Sequence, residues 1–219
     1  MKVTVISSCY GHYDAMWVPP AQTFDGDVDW VMVTDGPRWP GWRTVVERRD
    51  HVHPNVAAKV AKFRPDLYTL PGSEVSIWVD AGSWVPANFV DEVTSVAPVV
   101  ADWLMYPHPH RVHLLPEVDA SRGLRKYDRL DLEGQVAHYE AAGYPDNALW
   151  ATGIIVRWGH SLHHQRFGEA WLTEVTRWGF QDQLSFAYLA WLHALPITPL
   201  GPDLFGSPFI QFTDHSTKP

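Results

Sequence analysis

The sequence predicts an α/β fold, organised as one domain over residues 1–219. Two observations carry this prediction. Apolar runs end at an aspartate and a small residue in residues 29–36 and again in residues 76–82, as buried strands do. Stretches with apolar residues at helical spacing lie between such runs. Because the carboxyl ends of parallel strands share one edge of a sheet, Asp35 and Asp80 are predicted to line a ligand site at that edge.

The composition argues against a disulfide-linked, membrane-spanning or nucleic-acid-binding protein. The chain has a formal net charge of -8 and a single cysteine, Cys9, which excludes an internal disulfide and predicts a cytoplasmic protein. No apolar run is long enough to span a bilayer, and residues 1–6 lack the features of a signal peptide. The acidic balance gives no general attraction to nucleic acid, although a local basic groove stays open. The 12 tryptophans favour a carbohydrate or nucleotide ligand.

The first strand is predicted over residues 2–7 and leads into a polar loop that contains glycine. A loop in this place often contacts a nucleotide, and Tyr10 or Tyr13 could stack on a base. An ordinary turn is the alternative. The loop is not a Gly-x-Gly-x-x-Gly motif, so a dinucleotide-binding site of the Rossmann type has no support. A second strand then leads to Asp35, and residues 42–46 could form a short third strand.

A helix is predicted over residues 55–64, just before the strand that ends at Asp80. Its apolar positions share one face, and Lys59 and Lys62 lie near each other on an adjacent face. Such lysines are usually solvated, but in this place they could neutralise a diphosphate. Asp80 either ends its strand in a turn or anchors a ligand. The small residues that follow it, at 81–82, would let a phosphate or sugar approach the backbone.

The second half of the chain continues the alternation of helices and strands. A helix over residues 86–95 and a strand over 99–105 lead to a loop with three histidines and Arg111, which could bind a metal ion or anions. No carboxylate or cysteine stands at a zinc-like spacing there. The remaining predicted elements are two helical pieces within residues 117–143, a strand over 149–157 interrupted by Thr152 and Gly153, and helices over 160–178 and 181–192.

Several of these motifs, taken in order, resemble a known family. They are Thr34-Asp35-Gly36, Lys59 and Lys62 before a proline, Ile77-Trp78-Val79-Asp80, His108-Pro109-His110-Arg111, Gln135 with Tyr139 and Gly143, Val156-Arg157, and Asp182-Gln183-Leu184-Ser185-Phe186. The set resembles a glycosyltransferase-like family that includes plant pectic galacturonosyltransferases of seed mucilage and uncharacterised bacterial and phage proteins. The resemblance covers roughly residues 3–192.

The resemblance implies a GT-A fold, a sandwich with a mixed, mostly parallel sheet flanked by helices, in which an acidic motif holds a divalent metal ion against the donor diphosphate. By this resemblance Asp80 is the acid that holds Mn²⁺ or Mg²⁺. Two departures from the family pattern stand out. The motif Asp80-Ala81-Gly82-Ser83 contains one acid, so a second metal ligand is needed elsewhere, with His215 or Asp214 as candidates. Gln181 stands where the family tends to have arginine.

The resemblance also implies roles for the other motif residues. The donor-binding roles it implies are Asp35 at the nucleoside, Lys59 and Lys62 at the diphosphate or a donor carboxylate, and His108 and Arg111 at the donor or acceptor pocket. Tyr10 is expected to bind the donor because of its place in the loop after the first strand, not by the resemblance. Asp182 and Gln183 are expected where the anomeric carbon meets the acceptor. Asp182 would be the general base of an inverting enzyme, and Gln183 would orient the acceptor in a retaining one, which the resemblance favours.

The expected function is transfer of a hexosyl or pentosyl group from a UDP-sugar to an acceptor hydroxyl. The acceptor stays open between a saccharide, a lipid-linked glycan, a protein and a modified base in phage DNA. Two other functions stay open as well. One is a non-catalytic nucleotide-sugar or carbohydrate-binding protein of the same fold, which the single motif acid and Gln181 favour. The other is a metal-dependent hydrolase that uses the histidine cluster at residues 108–113.

Overall fold

The structure is a computed structural model and describes residues 1–11, 17–96, 102–201 and 204, with the backbone of 211–212. Within these residues, seven strands form one sheet in the order β3-β2-β1-β4-β7-β6-β8, and β5 pairs with β9 in a separate ribbon. The strands are β1 (Lys2–Cys9), β2 (Asp27–Thr34), β3 (Arg43–Val46), β4 (Val75–Val79), β5 (Ser83–Trp84), β6 (Trp103–Pro107), β7 (Trp150–Trp158), β8 (Ile197–Pro199) and β9 (Gln211–Phe212).

Helices cover both faces of the sheet. They are α1 (Pro54–Phe63), α2 (Phe89–Ser95), α3 (Leu114–Ser121), α4 (Leu132–Ala141), α5 (Leu162–Trp178) and α6 (Asp182–Leu192), with short 3-10 turns at Pro65–Leu67 and Arg125–Tyr127. Alternate residues of β1 and β4 point to opposite faces, so Ile6 and Trp78 join the core under α1 and α5. Val5 and Ile77 join the core under α2.

The sheet is mixed and mostly parallel, as predicted. β2, β1 and β4 run parallel to one another in register, with Val5 paired to both Trp30 and Ile77. β7 is antiparallel to β4 and to β6. Consequently Thr34 and Val79, the last residues of β2 and β4, lie at the same edge, and Asp35 and Asp80 follow them there.

Element boundaries differ from the predictions in a few places. The helix predicted from residue 86 begins at Phe89, after Asn88. The strand predicted over 99–105 is Trp103–Pro107, and residues 97–101 lie outside the described part. The two helical pieces expected within 117–143 are α3 and α4, separated by a 3-10 turn, and Asp131 caps α4 by accepting from the Gly134 N–H at 3.0 Å. In the described residues, no helix has the length and apolar character needed to cross a membrane.

Candidate active site

A cleft with two lobes opens at the edge where β1 and β4 end. The first lobe, of ≈ 200 Å³, is lined by the end of β1, by α1 and by the turn after β4. The second lobe, of ≈ 360 Å³, is lined by residues 108–111, by residues 151–153 of β7 and by the start of α6. Four residues line both lobes: Lys59, Asp80, Lys126 and Tyr127. The lobes therefore meet beside Asp80, at the position predicted from the sequence.

Asp80 sits on a turn that its neighbours fix. Its N–H donates to the carbonyl of Gly153 in β7 at 3.0 Å, and its carbonyl accepts from the Ser83 N–H at 2.9 Å. The Oδ1 atom accepts from Trp78 Nε1 at 2.7 Å and lies 3.5 Å from Lys62 Nζ. Within the described part, these side-chain contacts all fall on Oδ1. The Asp80 side chain is 46% exposed and lines both lobes.

Asp182 is the most strongly paired acid of the cleft. Its Oδ1 lies 2.9 Å from Lys59 Nζ, and its Oδ2 lies 2.6 Å from Lys62 Nζ. The Thr152 hydroxyl also donates to Oδ2 at 3.3 Å. Lys59 and Lys62 are three residues apart on α1, which places both ammonium groups on the same side of the helix. One carboxylate at the start of α6 thus binds two cations of α1.

Burial and charge act against each other in this cluster. Burial alone would raise the pKa of Asp182, but the ammonium groups of Lys59 and Lys62 outweigh it and hold that pKa well below its usual range. Burial lowers the pKa of Lys59 despite Asp182, whereas the pKa of Lys62 is raised because Asp182 and Asp80 together overcome the effect of burial. Asp182 is therefore ionised throughout the physiological range, and so is Lys62.

Three contacts hold the end of α1 that carries the lysines. The Ser8 hydroxyl of β1 donates to the carbonyl of Ala58 at 2.7 Å. Arg157 of β7, a fully buried residue, donates from Nη2 to the carbonyl of Lys62 at 2.8 Å. Gly168 lets α5 pack against the end of α1, because a Cβ at this position would overlap the carbonyl oxygen of Phe63. These contacts fix the direction in which the lysine side chains leave the helix.

The histidine loop is organised around Glu117 of α3, a residue that the sequence did not single out. Arg111 Nε donates to Glu117 Oε2 at 2.9 Å, and His108 Nε2 lies 3.4 Å from the same oxygen. Gln181 Nε2 donates to Glu117 Oε1 at 2.9 Å. Glu117 is buried, and burial raises its pKa although Arg111 opposes the shift. The loop and the start of α6 are thus joined through one buried carboxylate.

The histidines of this loop do not converge on one point. His108 Nδ1 accepts from the N–H groups of His110 and Arg111 at 3.3 and 3.1 Å, while His113 Nδ1 lies 2.6 Å from the carbonyl of Asp146. Burial, together with Arg111 and His110, lowers the pKa of His108 to about 4. No group of three or more His, Cys, Asp or Glu side chains in the described ranges could hold a metal ion. The zinc hydrolase alternative gains no support from this geometry.

Tyr10 and Asp35 lie at the first lobe in different ways. Tyr10 is buried and lines the lobe directly. Both carboxylate oxygens of Asp35 accept from the N–H of Gly11 at 3.1 Å, and Gly11 has the positive φ of 67° that favours glycine. Asp35 is not among the residues that line either lobe. It holds the loop after β1, which in turn carries Tyr10.

The chain matches a known protein family over most of its length. Residues 32–198 match the family described as TOD1/MUCI70, glycosyltransferase-like domain. The chain belongs to the TOD1/MUCI70 family. This confirms the resemblance inferred from the sequence motifs. The matched range contains the predicted site residues from Asp35 to Gln183. The candidates outside it are Tyr10, Tyr13, Asp214 and His215.

A solved structure supports the same fold. The crystal structure of mouse xyloside xylosyltransferase 1, apo form, superposes with a TM-score of 0.50 and 9% sequence identity. The alignment covers 91% of this chain and 85% of that chain. At this identity the similarity concerns the fold, and it confirms the predicted GT-A-like architecture. No curated protein sequence matches the chain.

The TOD1/MUCI70 chain brings most of its predicted site residues together. Asp80, Lys59, His108, Arg111, Asp182 and Gln183 all line the second lobe. Lys62 does not line either lobe, because its side chain is only 1% exposed and lies behind Asp182. His215 and Asp214, the candidates for a second metal ligand, lie outside the described residues.

Besides Glu117, two residues of the cleft were not predicted from the sequence. Lys126 and Tyr127 line both lobes from the 3-10 turn between α3 and α4. One local signal pointed toward them, the helix break around residues 123–131, because polar breaks between helices often reach a site. Nothing in the local pattern indicated Glu117, since its partners Arg111 and Gln181 come from two other segments. Gln181, the departure from the family pattern, is the buried partner of that carboxylate.

Proposed function

We propose that the protein transfers a hexosyl or pentosyl group from a UDP-sugar to an acceptor hydroxyl, with Mn²⁺ or Mg²⁺ bound at Asp80. The observation that carries this proposal is the position of Asp80, whose half-exposed side chain lies where the two lobes meet. A ligand that binds with its nucleotide in the first lobe and its sugar in the second would have its diphosphate beside this carboxylate.

The residues present suit a hard cation that is held mainly by its substrate. Mg²⁺ is commonly bound through one or two carboxylates together with substrate phosphates. Asp80 supplies one such carboxylate on a half-exposed side chain, and His215 is proposed as a further ligand. When bound, the cation would neutralise charge that develops on the leaving diphosphate.

Other residues are proposed to bind and orient the donor. Tyr10 would stack on the base in the first lobe, and Asp35 would act on the nucleoside by holding the loop at Gly11. His108 and Arg111 would contact the sugar or the acceptor in the second lobe. Lys59 would face the diphosphate from α1. Lys62 would not touch the donor and would instead hold Asp182 in position through their ion pair.

The charge state of Asp182 supports the retaining mechanism over the inverting one. With an ammonium group on each oxygen, Asp182 has a strongly lowered pKa and is a weak base for an acceptor hydroxyl. In the retaining mechanism, the bond between the anomeric carbon and the leaving phosphate oxygen breaks. The acceptor oxygen bonds to that carbon on the same face, and its proton passes to the leaving phosphate. Gln183, at the second lobe, would orient the acceptor.

The proposed acceptor is a saccharide. The second lobe is open to sugar-sized ligands and is lined by groups that hydrogen-bond to hydroxyls, among them His108, Thr152 and Gln183. A modified base in phage DNA remains the alternative, although the net charge of -8 opposes binding to a polyanion. Transfer of label from a UDP-sugar to an oligosaccharide panel, compared with transfer to duplex DNA, separates the two.

The test of the proposal is the variant Asp80→Ala. Isothermal titration calorimetry with UDP-sugars, with and without Mn²⁺, should show metal-dependent binding in the unchanged protein and only weak, metal-independent binding in the variant. Asp119→Ala is the matched control, since Asp119 is an exposed aspartate of α3 outside the cleft. Donor binding by Asp80→Ala that responds to Mn²⁺ as the unchanged protein does would refute the role of Asp80.

A non-catalytic nucleotide-sugar-binding protein is the second candidate. Two observations favour it: the neutralisation of Asp182 by two lysines, and the single carboxylate after β4. Slow hydrolysis of the bound donor separates the candidates, because a working transfer site releases UDP into water even without an acceptor. Tight donor binding with no release of UDP above that of Asp80→Ala would support the binding protein.

A further inference from the structure

The positive charge that lines the cleft is mostly neutralised before any ligand binds. Three lysines and arginines line the two lobes: Lys59, Arg111 and Lys126. Lys59 forms an ion pair with Asp182, and Arg111 forms one with Glu117. Within the part of the chain that the structure describes, Lys126 has no carboxylate partner. Lys126 is thus the cation of the cleft whose charge is uncompensated there.

Lys126 also stands at the point where the lobes join. It belongs to the 3-10 turn Arg125–Tyr127 and lines both lobes, as Asp80 and Lys59 do. Its Nζ lies 4.8 Å from the ring centroid of Tyr127, so the contact is a cation–π interaction that a stronger anionic partner can replace. Its side chain is exposed, which leaves the ammonium group free to reorient toward a ligand.

The turn that carries Lys126 is held against the cleft wall. The Tyr127 N–H donates to the carbonyl of Leu124 at 2.8 Å, closing the turn, and the Tyr127 ring packs 5.6 Å from that of Phe180. Leu130 packs directly over Gly179, where a Cβ would clash with the leucine side chain. The backbone of the segment is therefore fixed while the lysine side chain remains adjustable.

We propose that Lys126 binds the diphosphate of the donor and supplies the main protein cation for the leaving group. This inference rests on the proposed function and names a residue of the same site. A dianionic group at Lys126 replaces only the cation–π contact with Tyr127 and competes with no carboxylate among the described residues, so it gains a charge-assisted contact. The same group must compete with Asp182 for Lys59, and Lys62 lies behind that pair. The lysines of α1 then act chiefly to hold Asp182.

The experiment compares Lys126→Met with Arg125→Met by calorimetry at fixed Mn²⁺ and ionic strength. Arg125 is the adjacent exposed basic residue and lines neither lobe, so it controls for the change in net charge. Methionine keeps the aliphatic contact with Tyr127. Lys126→Met is expected to weaken UDP binding about tenfold and to leave uridine binding unchanged. Arg125→Met should change neither, and Lys126→Arg should retain most of the UDP affinity.

Two donors separate the diphosphate from a sugar carboxylate as the anion that Lys126 binds. An equal loss of affinity for UDP-glucose and UDP-glucuronic acid supports the diphosphate. A loss confined to UDP-glucuronic acid overturns the inference in favour of the carboxylate. Equal UDP affinities for Lys126→Met and Arg125→Met also overturn it, while UDP-sugar binding by the unchanged protein leaves the proposed function standing. Absence of any UDP or UDP-sugar binding by the unchanged protein refutes both.

Discussion

The Nζ atom of Lys62 lies 2.6 Å from Oδ2 of Asp182, and only 1% of the lysine side chain and 7% of the aspartate side chain are exposed. The pair links the last turn of α1 to the first residue of α6. A buried ion pair of this kind fixes geometry, because separating its members leaves an unpaired charge inside the protein. Asp182 lines the second lobe, and Lys62 holds it from the side of α1.

The losses of stability from removing the two members of the pair should be less than additive. Asp182→Asn and Lys62→Met are each expected to lower the free energy of unfolding by about 3 kcal/mol, because each takes away the nearest opposite charge of a buried ionised group. The double variant should lose clearly less than the sum of the two. Urea denaturation of the four proteins gives the coupling energy. Strictly additive losses would show that the two side chains do not stabilise each other.

Glu117 should hold the histidine loop to α6. Glu117→Gln weakens the ion pair with Arg111 and is expected to cost about 1–3 kcal/mol of unfolding free energy. It should also speed hydrogen exchange at the Arg111 amide, which donates to His108 Nδ1. Glu140→Gln, at an exposed position of α4, is the control and should stay within about 0.5 kcal/mol. Unchanged exchange at Arg111 would contradict the role of Glu117.

The close approach of α5 to α1 should make Gly168 intolerant of a side chain. Gly168→Ala places a methyl group against the carbonyl of Phe63, and the helices must separate or bend to admit it. We expect a loss of about 2 kcal/mol in unfolding free energy, despite the better helix propensity of alanine. The control is Gly123→Ala, where the nearest atom to the new methyl is the Ala120 carbonyl oxygen at 3.7 Å. Equal stability of the two variants would refute the packing argument.

His108 should make stability depend on pH in the mildly acidic range. The folded protein takes up a proton at His108 only near pH 4, whereas the unfolded chain does so near 6.5. Between these values the unfolded state binds more protons than the folded state. The contribution of neutral His108 to the free energy of unfolding is therefore complete above pH 6.5 and is lost as the pH falls toward 4. His108→Gln should lack this component. Urea unfolding at pH 7, 6 and 5 should therefore show the variant losing less stability than the unchanged protein, and parallel losses would contradict the expectation.

The sequence was most informative where local chemistry repeats along the chain. Apolar runs that end at Asp35 and Asp80 predicted parallel strands with a site at their shared edge, because strand period and turn residues are local properties. The spacing of residues 55–64 predicted α1, with both lysines on neighbouring positions. The order of the motifs was enough to indicate the TOD1/MUCI70 family, which the match over residues 32–198 confirms.

The tertiary structure decided which charges meet. Whether Lys59 and Lys62 are solvated, bind a ligand or pair with a carboxylate depends on α6 lying against α1, and no local pattern encodes that contact. The same holds for Glu117, whose partners come from the loop after β6 and the start of α6. Lys126 reached the cleft through the break between two helices.

The sequence by itself thus determined the fold class and the edge of the sheet at which Asp80 lines the cleft, since both follow from the order and spacing of residues along the chain. Only the folded chain decided which charges of the cleft form pairs. The ion pairs of Asp182 with Lys59 and Lys62 join residues that are distant in sequence. Their effect on pKa depends on burial, which exists only once the helices have packed on the sheet.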